Sequence, residues 1–181
     1  MSIIYISKNL QLQPIEKSDT AALYKLMQKV YIPAYANFWR DKGEWYLQEQ
    51  YSESNIQREI NEEYCSYYFI LYQGKKIGNF RIKWNASLPQ YSHLKSVKLH
   101  RIYLHPKEQG KGIGSQLLGW LEQEAIVKKY KIIWLDAMDK KLNALEFYKK
   151  LGYQYHSHCF LDFPLMYDKY RKMVQLIKVL V

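Results

Sequence analysis

The sequence predicts an α/β fold built on a mixed sheet, and three observations carry that prediction. Residues 97–121, VKLHRIYLHPKEQGKGIGSQLLGWL, pass from a strand through a glycine turn into a helix. Residues 67–84 read as a β-hairpin. The remaining segments extend this to the order β-α-α-β-β-β-α-β-α-β-β, with about seven strands and about four helices. At 181 residues, a single domain spanning 1–181 with a sizeable core is expected.

Taken in order, Leu10, Gln11, Leu12 and Gln13 alternate and end at Pro14, a short first strand. Ser18-Asp19-Thr20 offers an N-cap; Leu23, Leu26, Met27 and Val30 follow at helical spacing, and Pro33 is the expected stop. Residues 31–51 gather Tyr35, Phe38, Trp39, Trp45, Tyr46 and Tyr51 around a break at Asp41-Lys42-Gly43, without a clean period. This stretch reads as core or lid, or as one wall of an acceptor pocket in which Asp41, Glu44 or Glu49 would hold a cationic amine. Ser54-x-x-Gln57 matches a capping box and opens a charged helix over 54–63.

Residues 67–72 and 76–84 form strands around Gln73-Gly74-Lys75. After a loop through Pro89 comes the strand 97–104, rich in β-branched and aromatic residues and ended by Pro106, which cannot donate to a ladder. Ile113, Leu117, Trp120 and Leu121 then define one helical face. Ile132-Ile133-Trp134-Leu135 is a short buried strand ending at Asp136, and 143–153 is a helix stopped by Gly152. Two strands, at 153–160 and 171–179, complete the order.

Composition narrows the function classes. No apolar run approaches the ~20 residues of a membrane span, and no signal peptide is evident, so a cytoplasmic setting is expected. Cys65 and Cys159 make neither a disulfide framework nor a metal cluster, and no metal is expected. The net charge is +10, and residues 91–181 hold 16 Lys+Arg against 8 Asp+Glu, whereas 1–90 hold 11 against 9. A polyanionic cofactor would account for an excess concentrated in the half with the glycine turn. Nucleic acid is the competing account, but no helix-turn-helix, zinc-finger or RRM signature is present, so direct nucleic-acid recognition is not expected.

A strand, a glycine turn and a helix N-terminus in succession make an anion site, because the first helical turn leaves N–H groups unpaired. Gln109-Gly110-Lys111-Gly112-Ile113-Gly114 lacks the G-x-x-x-x-G-K-[ST] string of a Walker loop. A dinucleotide fingerprint would read Gly110-x-Gly112-x-x-Ser115, with Asp136 at the distance of a ribose-binding acid. A plain structural turn is the third reading. The fourth is that Gln109, Gly112 and Gly114, as Gln-x-x-Gly-x-Gly, resemble the acyl-coenzyme A pyrophosphate loop of the GNAT N-acetyltransferase superfamily. Residues 143–153, with Asn143, Ala144, Phe147-Tyr148 and Lys150-Leu151-Gly152-Tyr153, resemble the next signature of the same family. The strong resemblance covers 97–153. Leu99-x-Arg101-Ile102-Tyr103 and the aromatic 31–51 segment are loosely similar to bacterial polyamine-type acetyltransferases.

The resemblance implies a GNAT fold splayed between the fourth and fifth strands, 97–104 and 132–136, with acetyl-CoA as acetyl donor in the cleft. Backbone of Ile102, Tyr103 and Leu104 would pair with the pantetheine arm. Gln109, Gly110, Lys111, Gly112, Ile113, Gly114 and Ser115 would hold the pyrophosphate. Asn143 is either a helix cap, in Asn143-x-x-Glu146, or a ligand of the cofactor arm. Tyr148 would protonate the departing thiolate as general acid. Many relatives carry a glutamate base on the central strand, where this chain has Lys98 and His100, which leaves His100 as the candidate base. The implied activity is acetyl transfer to a primary amine by direct attack in a ternary complex, since no cysteine stands in either motif. The acceptor would be a small molecule or a peptide amine. A catalytically weak or inactive acyl-CoA-binding regulatory module is the alternative, and the sequence leaves homodimerisation open.

Overall fold

The computed structural model describes residues 2–180 and contains one eight-stranded sheet in the order β1-β2-β3-β4-β5-β6-β8-β7. The strands are β1 (Ile4–Tyr5), β2 (Leu10–Pro14), β3 (Cys65–Tyr72), β4 (Lys75–Lys83), β5 (Ser96–Leu104), β6 (Ile132–Met138), β7 (Gln154–Phe160) and β8 (Lys172–Val179). Five helices accompany them: α1 (Thr20–Tyr35), α2 (Glu44–Tyr51), α3 (Glu53–Ile60), α4 (Ile113–Val127) and α5 (Leu142–Lys150). Every neighbouring pair is antiparallel except β5 and β6, which α4 joins as a crossover. A doubly wound dinucleotide-binding sheet needs a run of parallel strands, so that reading of the glycine turn falls.

Burial follows the strand period. Val97 and Leu99 of β5 and Ile133 and Leu135 of β6 turn to one face, against Leu117, Leu118 and Leu121 of α4 and Tyr148 of α5. Fully buried leucines such as Leu117 and Leu121 contribute on the order of 2 kcal/mol each to that layer. The opposite face packs Phe69 and Tyr67 against Leu23, Met27, Leu47 and Ile56 of α1–α3.

Several sequence expectations are corrected. The two-residue β1 was not anticipated, because it is too short to show a period. Pro33 does not end α1: the helix runs on to Tyr35, and Ala36 N–H still closes onto the Ile32 carbonyl. The ring removes one bond in the last turn, while stacking of Tyr35 on Tyr31 at 4.7 Å holds that turn in place. The capping residue of α3 is Ser52 rather than Ser54; its Oγ accepts from Asn55 N–H at 3.3 Å, and Gln57 instead donates to Glu53. The aromatic stretch contains α2, whose N-terminus Asp41 caps by accepting from Gly43 N–H at 3.0 Å and Trp45 N–H at 2.5 Å. Asp136 lies within β6, which continues to Met138.

One glycine is demanded by close approach. A Cβ built on Gly78 of β4 would stand 1.9 Å from the Tyr103 carbonyl oxygen, which only separation of the two strands could relieve. Gly119, on the outer side of α4, has nothing within 4 Å of such an atom. Gly78→Ala is therefore expected to lower unfolding free energy by about 1–3 kcal/mol in urea titrations. Gly119→Ala should raise it by up to about 1 kcal/mol.

Candidate active site

The glycine turn precedes α4 and has the geometry of an anion cradle. Gly110 and Gly112 sit at φ of 76° and 75°, the left-handed region, and a Cβ at either would meet nothing within 4 Å. Their backbone is thus bare to solvent rather than packed. Gly114 is the packing glycine, where a Cβ would come within 3.0 Å of the Phe147 ring of α5. The first intrahelical bond runs from Gln116 N–H to the Gly112 carbonyl, which leaves the N–H groups of Ile113, Gly114 and Ser115 free. Lys111 is exposed and pairs with Glu108 at 2.8 Å, and the Gln109 side chain donates to the Leu104 carbonyl at 3.1 Å, tying the turn to the end of β5. These residues suit a diphosphate: bare backbone, open space and the positive end of a fifteen-residue helix.

Between β5 and β6 the ladder holds only from Ser96↔Ile132 to Leu99↔Leu135. Beyond it β5 stays with β4 and β6 with β8. A β-bulge sits at the parting: Leu99 pairs with Ile82 and Arg101 with Arg81, so His100 has no partner on β4. A bulge bends its strand and increases its twist. His105 N–H donates to the Ile77 carbonyl at 2.8 Å. Alternation from that bond turns the N–H and C=O of Ile102 and Leu104 into the opening, while those of Tyr103 turn to β4. The Tyr103 backbone is therefore committed to the ladder, and its ring lines the opening instead.

The parting leaves a cavity of about 270 Å³ lined by residues from both faces of the sheet. Leu99, Leu135 and Tyr148 border it from the α4–α5 face; Tyr31, Tyr46 and Tyr103 border it from the α1–α3 face. Tyr148 is 8% exposed, and burial, reinforced by Tyr35, pushes its phenol well above the ordinary value. Tyr35 is pushed up to about 12, mainly by burial. Asn143 lies in the first turn of α5 and is exposed; the N-cap position belongs to Lys141, so the side chain of Asn143 is not a cap. On the acceptor side, Tyr31 stacks on Tyr46 at 4.3 Å, and the Tyr46 and Tyr103 hydroxyls stand 3.3 Å apart. The β7–β8 connection closes this wall, with Phe163 5.5 Å from Trp45 and the Arg40 N–H donating to the Leu165 carbonyl.

Beside the bulge lies a buried ionic network that the sequence did not reveal. Glu59 of α3 accepts from Arg81 at 3.0 Å through one oxygen and from Arg101 at 2.5 Å through the other. Arg101 also donates to Tyr67 and Gln50, and Arg81 donates to Glu62. Two arginines within apolar strands and a glutamate one turn from Ile56 were the available signals. His100 Nδ1 lies 2.9 Å from the Arg81 guanidinium. Burial, then Arg101, Arg81 and Lys98, force its imidazole pKa far below the usual range, so it is neutral throughout the working pH range. The other sequence candidates do not reach the cavity. Asp41 is a helix cap, and Glu44 and Glu49 face solvent. Asp136 does line it, paired with Lys98 at 2.6 Å.

An antiparallel sheet interrupted by one parallel, splayed pair, with a phosphate-type turn on one side and a buried tyrosine beside the gap, defines an acyl-coenzyme A-dependent transferase of the GNAT fold. Residues 24–153, more than half of the chain, match the acetyltransferase (GNAT) family. The chain belongs to that family: it is an N-acetyltransferase whose acetyl donor is acetyl-CoA. An uncharacterised N-acetyltransferase from Lactobacillus delbrueckii subsp. lactis is 23% identical over 117 residues, which are 64% of this chain and 68% of the relative. Among solved structures, a ribosomal L7/L12 α-N-protein acetyltransferase in complex with coenzyme A superposes with a TM-score of 0.73 at 19% identity, over 99% of this chain and 98% of that one. A spermidine N-acetyltransferase from Vibrio cholerae superposes with a TM-score of 0.66 at 16% identity, over 96% and 95%.

Because the His100 pKa is depressed in the folded chain, the unfolded chain takes up a proton below pH ~6.5 that the folded chain does not. Stability is therefore full above that pH and falls as pH drops, by up to about 1.4 kcal/mol per pH unit from this group. His100→Gln should flatten the slope of melting temperature against pH between about 6 and 4.5, as read by thermal melts.

Proposed function

We propose that this chain transfers the acetyl group of acetyl-CoA to a primary amine by direct attack within a ternary complex. The observation that supports this most is the cavity at the strand parting, which is lined from both faces of the sheet, so that donor and acceptor could meet there from opposite sides. In this reading the amides of Gly110 to Ser115, with Gln109 holding the turn and Lys111 at its rim, receive the diphosphate. Ile102 offers its N–H and C=O, and Leu104 its N–H, to the pantetheine arm as an added strand would, the Leu104 carbonyl being held by Gln109, and Asn143 would reach the same arm. An N–H of that edge polarises the thioester carbonyl. The amine nitrogen attacks the carbonyl carbon, the C–S bond breaks, Tyr148 gives its phenol proton to the departing thiolate, and the proton shed by the new amide nitrogen returns through solvent to restore the phenol. Burial raises the phenol pKa, which holds Tyr148 in its protonated form until the thiolate departs.

His100, the sequence candidate for the base, serves here as a neutral acceptor of the Arg81 hydrogen bond. Its proton affinity is too low to draw a proton from an ammonium. The burial that chiefly depresses His100 acts on the acceptor as well. It disfavours an ammonium in the cavity, so in this reading the amine enters neutral after losing its proton to solvent.

Tyr148→Phe is expected to lower kcat by about 10²-fold or more, with the KM for acetyl-CoA changed less than about twofold, measured as coenzyme thiol release. An unchanged kcat would remove Tyr148 from the chemistry. The wild-type rate should rise with pH along the acceptor's own titration, levelling near pH ~8 for a peptide α-amine and near ~10 for an alkylamine. An inflection at pH ~6.5 common to all acceptors would restore a histidine base.

A further inference from the structure

The charges around the cavity do not suit the cationic acceptor for which Asp41, Glu44 and Glu49 were candidates. Asp136 is neutralised by Lys98, and Arg101 by Glu59. Lys141 differs from these. It immediately precedes α5 and lines the cavity, and among the described residues it has no carboxylate partner. Its ammonium donates to the Ala34 carbonyl and lies 4.4 Å from the Tyr35 ring centre and 5.2 Å from that of Phe38. Burial pushes its pKa down, the direction taken by a cation that lacks a counter-ion. Tyr35, which it overlies, lines the same cavity as Tyr148.

We propose that the acceptor is a small amine that also bears a carboxylate, and that Lys141 receives this carboxylate while the amine faces Tyr148. The inference rests on the acetyl-transfer reading above. A single unpaired cation among aromatic rings matches a monoanion, and a cavity of about 270 Å³ admits a molecule of amino-acid size. The rings of Tyr31, Tyr46 and Tyr103 supply apolar contact for its side chain. A polyamine would instead bring further positive charges beside Lys141, with the carboxylates of Asp136 and Glu59 already held by Lys98 and Arg101.

The test compares matched acceptors, phenylalanine with phenethylamine and 4-aminobutyrate with butylamine, with spermidine alongside. For wild type, kcat/KM should favour the carboxylate-bearing member of at least one pair by about tenfold or more. Lys141→Met should reduce that ratio about tenfold, and Lys141→Arg should retain part of it. Calorimetric binding of the same compounds to the coenzyme A-loaded protein gives a readout that does not need turnover. There, a carboxylate-bearing amine should bind wild type and lose affinity in Lys141→Met. Equal or better use of spermidine or the decarboxylated amines, or a Lys141→Met effect identical within each pair, would overturn the inference. Absence of thiol release with every amine would instead refute the acetyl-transfer reading, and the binding comparison would still decide the role of Lys141.

Discussion

The loss of pairing between β5 and β6 after Leu99 and Leu135 is the constraint on which the rest of the site depends. Two forces set it. The parallel ladder holds the strands from Ser96 to Leu99, and α4, bridging them on one face, buries Leu117 and Leu121 against that paired region. At the next residue His100 bulges out of the β4 ladder, and a bulge bends its strand. Arg81 and Arg101, paired across the bulge, both bind Glu59, so the network fixes the place where the strand bends. Taking three charges out of water costs several kcal/mol per ion before their attraction is counted. Here both Glu59 oxygens are used, and Arg101 finds two further acceptors. Arg81 Nε alone is left without a partner.

Once the strands part, the consequences are chemical. A break in a sheet covered by helices on both faces brings residues of the two otherwise separate apolar layers to one cavity. The backbone of Ile102 and Leu104 loses its ladder partner there, and exposed N–H and C=O groups in a sheet are a template for another strand-like chain. Burial around the cavity pushes its phenols up, while it pushes the Lys141 amine and the His100 imidazole down. All of these shifts favour uncharged forms, and uncharged amine and phenol are the forms that an aminolysis consumes.

The sequence was most legible where local chemistry decides the backbone. Gly110 and Gly112 take left-handed angles that other residues resist, and the elements around them fell close to their expected bounds. It was least legible where tertiary contacts override local preference. Pro33 reads as a helix stop, yet α1 passes it because Tyr35 stacks on Tyr31. Asp41 reads as a free carboxylate beside aromatics, yet the N–H groups of Gly43 and Trp45 claim it. The bulge at His100 could not be read, because a bulge is a property of two strands and the run from Val97 to Leu104 shows no break. The same holds for Glu59, which lies 22 residues from Arg81 and 42 from Arg101, beyond the reach of any spacing rule.

The lack of a glutamate on the central strand acquires a physical reason in this setting. A carboxylate at position 100 would stand among Arg101, Arg81, Lys98 and Lys83, and opposite charges at such range hold a carboxylate ionised. Its proton affinity would fall as its partners gripped it, so it would become one more member of the ion network rather than a base. Asp136 illustrates this in place: it faces the cavity but is held by Lys98 at 2.6 Å and by Gln175. With Lys98 paired to Asp136 and His100 held neutral, burial is what makes a charged amine costly here, and the imidazole adds no competing site for the proton. On the reading proposed above, the amine would shed its proton before or during entry, and Lys141 would orient the molecule from the wall of the same cavity.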